Sequence, residues 1–498
     1  MIEVRSPADG RPAGSVPTEG PDRVQAVASA LRAAQPPWED LGPDGRKRVL
    51  LEWGDWFLDN ERRLGELVQA ESGKAWADAS LEPAMSVDLI NHYARHAAEY
   101  LAVRKVRAHG PVGLTKRLEV RYRPHQLVGV ITPWNGPIGA PMLDTAAALM
   151  AGASVLTKPS EVTPLAWREA VRGFTDDVSA PPVLACVTGG GETGSAVVDE
   201  VDMVMFTGST RTGRAIAQRC AERLIPCSLE LGGKDPMIVL ADADVDRAVH
   251  AAVWGGMFNS GQACVSVERV YVEAPIYDEF VAKATEAVRN IRQGTDAPGM
   301  FQFEVGAMAT AEQLEIVERH VGDAVDRGAR ITTGGKRREP GLYFEPTVLI
   351  DVDHSMLCMR DETFGPTLPI MKVADEVEAV RLANDSPYGL SACVFSRDVE
   401  RARSLSTRLE AGAVNLNNSL VNLFQFNLPQ GGWKQSGLGS RFGGEAGLLK
   451  FCKAQAVVSD RVALPEPYWF PTSKLKGRII GRAARFMGAN DWRRRLGR

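Results

Sequence analysis

No stretch of the 498-residue chain stays apolar for the roughly 18 residues that a membrane-crossing helix needs. The first residues, MIEVRSPADG, lack the charged-then-apolar order of a secretory leader, so a cytoplasmic protein is expected. Cysteine is sparse: seven residues, at 186, 220, 227, 264, 358, 393 and 452, an odd number with no Cys-x-x-Cys pair. That spacing argues against a disulfide framework or a zinc site and for free thiols in a reducing compartment, and no metal centre is expected. Positive charge is not in excess, with 58 Lys and Arg against 62 Asp and Glu, which removes the usual footprint of a nucleic-acid partner. No internal repeat is visible. What remains is an ordinary globular composition, 44% hydrophobic and 24% charged, with length for two to four domains.

Along the chain, residues 21 to 105 read as helical, because apolar residues recur at three and four in stretches such as PDRVQAVASALRAA and GRKRVLLEWGDWFLDNERRLGELVQAESG. RLEVRYR at 117 to 123 alternates like a half-exposed strand, which suits a sheet edge or an intersubunit hairpin. QLVGVITPWNGP and SVLTKPSEVTP each join an apolar run to a Pro-containing turn, and DMVMFTGSTRTGRAIAQR does the same before entering a helix. Strand, loop and helix in series predict a parallel sheet with its ligands at the carboxyl ends of the strands. A second alternation runs from Pro236 to about Phe426. Met300 to Glu304 and Lys336 to Gly341 read as ordinary surface turns.

Two glycine-rich stretches bear on a phosphate-containing ligand. GGGETG at 189 to 194 is a loose relative of the dinucleotide fingerprint and equally a plain flexible turn. FTGSTRTG is better placed: Gly208 and Ser209 end a strand-like run and open a helix whose free amides can face a pyrophosphate.

The chemistry concentrates between Ser228 and Val265, with SLELGGK at one end and FNSGQAC at the other. A thiolate attacks carbonyl carbon well but is scarce at neutral pH, so a nucleophilic cysteine needs partial exposure and a base. Ser260, Gly261 and Ala263 leave Cys264 open to a substrate carbon. Glu230 can take a proton from the thiol or from a water, and Gly232 and Gly233 are expected to give it room to swing. A lone loop cysteine is more often structural than catalytic, so the surrounding text decides.

LELGGK at 229 to 234 and FNSGQAC at 258 to 264 resemble, in order and separation, the two active-site signatures of the aldehyde dehydrogenase superfamily. PWN at 133 to 135, KPSE at 158 to 161, FTGSTRTG at 206 to 213, ETFGP at 362 to 366 and GGWKQSG at 431 to 437 extend the resemblance over roughly residues 5 to 460. It implies an α/β protein: a Rossmann-like dinucleotide-binding domain (1–105 and 125–232) plus a second α/β catalytic domain (233–450). A β-hairpin oligomerisation arm (106–124 and 451–461) and a basic C-terminal tail (462–498) complete it. It also implies a homodimer or homotetramer joined through that arm. Cys264, Glu230 and Asn135 become the catalytic set. Asn135 and the Cys264 backbone N–H would steady the oxyanion, hydride would leave for NAD, and Glu230 would activate the water that hydrolyses an acyl-thioester. Relatives that pass the acyl group to coenzyme A usually lack a carboxylate at the position of Glu230, so hydrolysis to the free acid is expected.

The cofactor positions implied are Thr132, Trp134, Lys158, Ser160, Glu161, Gly191, Phe206, Gly208, Ser209, Gly213, Leu231, Glu362 and Phe364. In the family, Ser209 matches the pyrophosphate contact, Lys158 and Glu161 the adenosine ribose, Glu362 the nicotinamide ribose and Phe364 the ring. A carboxylate at Glu161 would repel a 2'-phosphate, so NAD is favoured over NADP.

The chain departs from the family at several points. Gly136 stands where an aromatic usually walls the substrate tunnel, followed by Gly139 and Ala140, although Phe258, Phe424 or Phe426 can refill the space. Gln430 replaces a frequent Phe, so a wider and partly polar tunnel for a bulky or functionalised aldehyde is expected. Asp144 takes the place of a common Lys or Arg, and no Arg lies in GPIGAPMLDTAAALM to grip the carboxylate of an acidic semialdehyde. Arg441 stands at a usual Glu position. From Arg461 onward ten Lys or Arg face only Glu466 and Asp491, and SKLKGRIIGRAARFM reads as a basic amphipathic helix. It suits either packing on protein or peripheral contact with a membrane. The readings to separate are an NAD-dependent dehydrogenase, a semialdehyde dehydrogenase using NADP, an esterase-like use of the same thiol, and a non-catalytic oligomeric NAD-binding protein.

Overall fold

The computed structural model describes the chain apart from residues 111, 112, 114, 441, 464, 467, 497 and 498; Arg441 therefore lies outside the described residues. Two compact units divide it, Met1–Tyr100 with Pro124–Phe451, and Leu101–Arg123 with Cys452–Arg498.

After an antiparallel strand pair, Ile2–Arg5 with Pro12–Val16, the first unit continues with the expected helical stretch, resolved into α1 (Pro21–Asp40), α2 (Gly42–Asp59), α3 (Glu61–Ser72) and α4 (Trp76–Tyr100). Pro21 opens α1 where a missing N–H costs nothing, and α3 stops at Gly73, whose φ of 75° suits a left-handed cap. Trp53 is fully buried against Phe57, Trp167 and Phe174, and its Nε1 donates to the Ala170 carbonyl at 3.1 Å. The indole thus fills the core without orphaning its N–H.

Two sheets follow. The first comprises β1 (Leu127–Ile131), β2 (Ser154–Lys158), β3 (Leu184–Cys186), β4 (Met203–Thr207) and β5 (Cys227–Glu230), ordered β5-β4-β1-β2-β3 and parallel throughout. The short strand Gly437–Leu438 adds an antiparallel edge on β5. LVGVI, SVLTK and MVMFT are buried at every position, as strands covered on both faces must be. Helices α5 (Gly139–Ala151), α6 (Leu165–Arg172), α7 (Gly191–Glu200) and α8 (Thr210–Glu222) supply the connections. The strand order reverses between β1 and β4, so the crevice beyond their carboxyl ends is the natural ligand site.

The second sheet holds β6 (Asp235–Val239), β7 (Val267–Glu273), β8 (Arg330–Thr333), β9 (Thr347–Ile350), β10 (Thr367–Val373), β11 (Ser391–Phe395) and β12 (Ala413–Leu416), ordered β8-β9-β10-β7-β6-β11-β12. Only β8 runs antiparallel. Helix α9 (Val245–Met257), capped by the Asp244 carboxylate accepting from Arg247 N, leads from β6 toward Cys264. The stretch from Lys336 to Gly341 is more than a turn: Arg337–Arg338 pairs antiparallel with Tyr343–Phe344.

In the second unit the alternating strand Lys116–Pro124 is not an edge. It lies between Arg104–Val106 and Cys452–Asp460. A three-stranded sheet leaves even its middle strand partly exposed, so alternation could not tell edge from centre. The tail helix, Lys474–Gly488, and a last turn, Trp492–Arg495, belong to this unit.

Candidate active site

After α9 the backbone enters a tight turn in which Asn259 and Ser260 take left-handed φ of 53° and 56°, followed by Gly261 at 71°. A side chain at 261 would meet the Gly365 carbonyl at 2.0 Å, so only glycine passes there. Left-handed backbone costs about 1 kcal/mol or more for a residue with a Cβ, and persists where surroundings impose it. Here Asn259 N donates to buried Asp78 at 3.1 Å, Ala309 N donates to Gln262 Oε1 at 2.9 Å, and Ser266 Oγ donates to the Gly261 carbonyl at 3.2 Å. The turn delivers Cys264 as a partly exposed cysteine outside any disulfide. Its carbonyl packs on Gly233, where a Cβ would stand 2.4 Å away.

Asn135, beyond β1, is tied to the same loop. Its Nδ2 donates to the Gln262 carbonyl at 2.9 Å, and Asn259 Nδ2 donates to the Asn135 carbonyl at 2.9 Å. An amide nitrogen carries two hydrogens, so one remains for a substrate oxygen. Asn135 and Cys264 line one cavity of about 380 Å³. Leu81, Met85, Gly136, Gly139, Ala140, Leu143, Phe258, Leu423 and Phe424 form much of its wall. Phe258 and Phe424 thus border the space left by Gly136, whereas Phe426 packs on Phe442 and His92. Gln430 does not make the tunnel polar: it is buried and bonded to Asn422, with Nε2 donating to the Asn422 carbonyl at 2.9 Å. The polar wall comes instead from α4 and the residues before it. Lys74 meets Glu82 at 2.5 Å, Glu82 accepts from Ile138 N and Gly139 N at the start of α5, and burial pushes the Asp78 carboxyl up to about 7.

The carboxyl ends of β1, β2 and β4 meet a helix N-terminus on each side. Ser209 caps α8, its Oγ accepting from Thr212 N at 3.3 Å. Gly191 starts α7 with open space around it, so GGGETG is the ordered opening of a helix. Lys158 and Glu161 pair at 3.0 Å beside Gly190 and Gly194. Partial burial works against ionisation of Glu161, but the Lys158 ammonium and a backbone hydrogen bond together outweigh it and hold that carboxyl below its usual range. Thr132 N donates to the Lys158 carbonyl, and Ser160 Oγ accepts from Val162 N. Gly208 and Gly213 sit close under neighbouring side chains: a Cβ would stand 2.6 Å from Phe206 or 2.5 Å from Leu231, which would have to shift. Bare glycines, free helix amides and a cation–carboxylate pair form a cradle suited to a dinucleotide. Trp134, held by Thr163 Oγ1 donating to its carbonyl, stands edge-on to Phe364 at 5.5 Å.

A buried ion pair that the sequence analysis did not single out fixes the far wall. Lys234, fully buried, meets Glu268 at 2.5 Å, and the Glu268 carboxylate accepts from Thr363 N and Phe364 N at 2.8 and 2.9 Å. Gly233 N in turn donates to Glu362 at 2.9 Å. The LGGK and ETFGP loops are stapled in both directions. Burial, with the nearby Glu268 charge, pushes the Glu362 carboxyl up to about 8. The only sequence signal was the lysine that ends LELGGK.

The profile of the Aldehyde dehydrogenase family matches residues 1–457. The chain belongs to the aldehyde dehydrogenase family. A 4,4'-diapolycopene aldehyde oxidase from a Methylomonas species is 40% identical over 475 residues, 95% of this chain and 88% of that protein. A Mycobacterium tuberculosis protein with the provisional name succinate-semialdehyde dehydrogenase (NADP(+)) 2 is 38% identical, covering 93% of this chain and 90% of its own. Among solved structures, a Mycobacterium tuberculosis aldehyde dehydrogenase complexed with NAD+ has a TM-score of 0.87 at 33% identity, over 93% of this chain and 95% of that one. The chain is thus an oxidoreductase of a family that uses NAD(P).

Within this aldehyde dehydrogenase, Glu230 stands apart from the other two catalytic candidates. It is buried at the end of β5, its carbonyl accepts from Gly208 N, and it is absent from the wall shared by Cys264 and Asn135. Gly232 and Gly233 do not supply its room, because their open sides are filled by the Glu362 carboxyl and the Cys264 carbonyl. The neighbour without a side chain is Gly431, whose Cβ would lie 3.9 Å from Glu230 Oε1. Asp144, buried, pairs with Lys450 at 3.0 Å and does not line the cavity. None of the seven cysteines is joined in a disulfide, and among the described residues no cluster of His, Cys, Asp or Glu is arranged for a metal.

Proposed function

We propose that the chain oxidises a long or bulky apolar aldehyde to the free acid, with NAD as oxidant and Cys264 as nucleophile. The observation that carries this reading is the cavity of about 380 Å³ in which Cys264 and Asn135 stand among Leu81, Met85, Leu143, Phe258, Leu423 and Phe424. The Cys264 thiolate adds to the carbonyl carbon, and the displaced electron pair settles on oxygen. Asn135 Nδ2 and the Cys264 N–H donate to that oxygen, an arrangement whose loss usually costs about 10²–10³ in rate. Ser209, Lys158, Glu161, Glu362 and Phe364 would hold the dinucleotide, which would supply the oxidant for loss of a hydride from the same carbon. An acyl-thioester on Cys264 results. Glu230, turning from beside Gly431, takes a proton from water; the hydroxide adds, the C–S bond breaks, and the acid leaves.

The Lys158–Glu161 pair supports NAD, because a 2'-phosphate would meet a carboxylate and would have to compete for an ammonium already engaged. Lys74 is the only Lys or Arg among the described residues lining the cavity, and Glu82 already holds it, which argues against an acidic semialdehyde. The relative named for diapolycopene aldehyde agrees with an apolar substrate. The names of the mycobacterial relatives favour the second reading, a semialdehyde dehydrogenase using NADP. A homodimer or homotetramer assembled through Arg104–Val106, Lys116–Pro124 and Cys452–Asp460, and a reducing, cytoplasmic setting, complete the proposal.

Absorbance of the reduced cofactor, followed over long aliphatic, aromatic and short aldehydes and succinic semialdehyde with NAD and NADP in parallel, separates the two. We expect kcat/KM with NAD to favour long apolar aldehydes over succinic semialdehyde by at least about tenfold. The reverse order, with NADP preferred, overturns this reading in favour of the second.

A further inference from the structure

The tail helix, Lys474–Gly488, takes no part in the chemistry above, and none of its residues is buried. Ser473 caps it, its Oγ accepting from Lys476 N at 3.2 Å. At 100° per residue the sequence KLKGRIIGRAARFMG separates into three faces. Lys474, Arg478, Arg482 and Arg485 share one arc; Leu475, Ile479, Ile480, Phe486 and Met487 share the next; Gly477, Gly481 and Gly488 occupy the remainder. Lys476, the one cation within the apolar arc, is folded back, its Nζ donating to the Trp469 and Pro471 carbonyls at 3.2 and 3.0 Å. Leu475, Ile479 and Phe486 are each more than half exposed, and Phe470 before the helix is 90% exposed. The helix contains no acidic residue. Its approach is anchored in the same unit, where Lys116 binds both Asp460 and Glu466 and Arg461 N donates to the Thr115 carbonyl.

We propose that this face docks on an anionic phospholipid surface, with the apolar arc at the level of the upper acyl chains and the arginine arc among the headgroups. An acidic protein surface would answer the arginines but leave the apolar arc without a partner, and an apolar protein groove would do the converse. The lipid interface meets both, and aromatic residues beside the helix (Trp469, Phe470, Trp492) suit its boundary layer. No described helix is long and apolar enough to cross a membrane, so the contact is peripheral. It is independent of which aldehyde is oxidised.

The test is flotation of the full chain with vesicles of phosphatidylcholine alone and of phosphatidylcholine with 30–40% phosphatidylglycerol, roughly the anionic content that gives a strong surface potential. Two variants run beside it: Arg478→Glu with Arg482→Glu, and Ile479→Ser with Phe486→Ser. Reduced-cofactor formation and size-exclusion elution serve as controls for folding and assembly. The expected result is recovery with the anionic vesicles only, weakened by salt and reduced at least about tenfold by either double substitution, with turnover in solution unchanged. Equal recovery of wild type and both variants overturns the proposal. So does an absence of vesicle binding together with a changed oligomeric state in the variants, which would make a second copy of the chain the occupant.

Discussion

Glu230 shows what a single residue position leaves to motion. Its identity was legible in SLELGGK, but its carboxylate rests beside Gly431 and outside the cavity wall shared by Cys264 and Asn135. If it serves only the water-activating half of the reaction, removing its charge spares the first half. Glu230→Gln should therefore release about one equivalent of reduced cofactor per active site in a burst, then turn over about 10²–10⁴-fold more slowly, as seen by rapid mixing. A slowed burst would assign Glu230 to thiol activation instead. Lys234 and Glu268 were not legible in the same way. Glu268 lies in VSVERVYVE beside Arg269, and two adjacent charges read as a solvent-facing stretch; β7 is in fact buried along its whole length, and the Glu268 charge is answered by Lys234 and two loop amides. A sequence shows that a charge exists, and only packing shows that it is paired inside.

At the scale of elements, α4 contributes more than scaffold. Its first turns place Asp78 under Asn259 and Glu82 at the start of α5, so a helix distant in sequence holds the cysteine turn and the Asn135 loop in register. Burial raises Asp78 from an ordinary 3.8 to about 7. Between those values the folded chain binds a proton that the unfolded chain has lost, so stability from this group is full below about pH 4 and declines as pH rises toward 7. Asp78→Asn removes that dependence. The wild-type stability, relative to the variant, should fall from pH 4 to 7 by at most about 1.4 kcal/mol per pH unit, seen as a falling thermal midpoint. Parallel midpoints across that window would show that Asp78 does not titrate there. The helical pattern of α4 was readable from its period; that its polar side faced a cavity was not, because periodicity gives a face and no neighbour.

At the scale of the whole chain, the two α/β alternations became two largely parallel sheets because each apolar run ended in a turn and a helix. The three-stranded sheet of the second unit was harder to read, since Cys452–Asp460 joins it from more than 300 residues beyond Arg104–Val106 and Lys116–Pro124, and only Lys116–Pro124 carried a readable alternation. In the proposed reaction all the substrate chemistry passes through one of seven cysteines, none of them in a disulfide. Reduced-cofactor formation by the full-length wild type and Cys264→Ala, with NAD binding followed by fluorescence in both, tests it most directly. The account predicts that the variant binds NAD as the wild type does while turnover falls by at least about 10⁴-fold. Turnover retained within tenfold of wild type would contradict it, and would move the nucleophile away from the FNSGQAC turn.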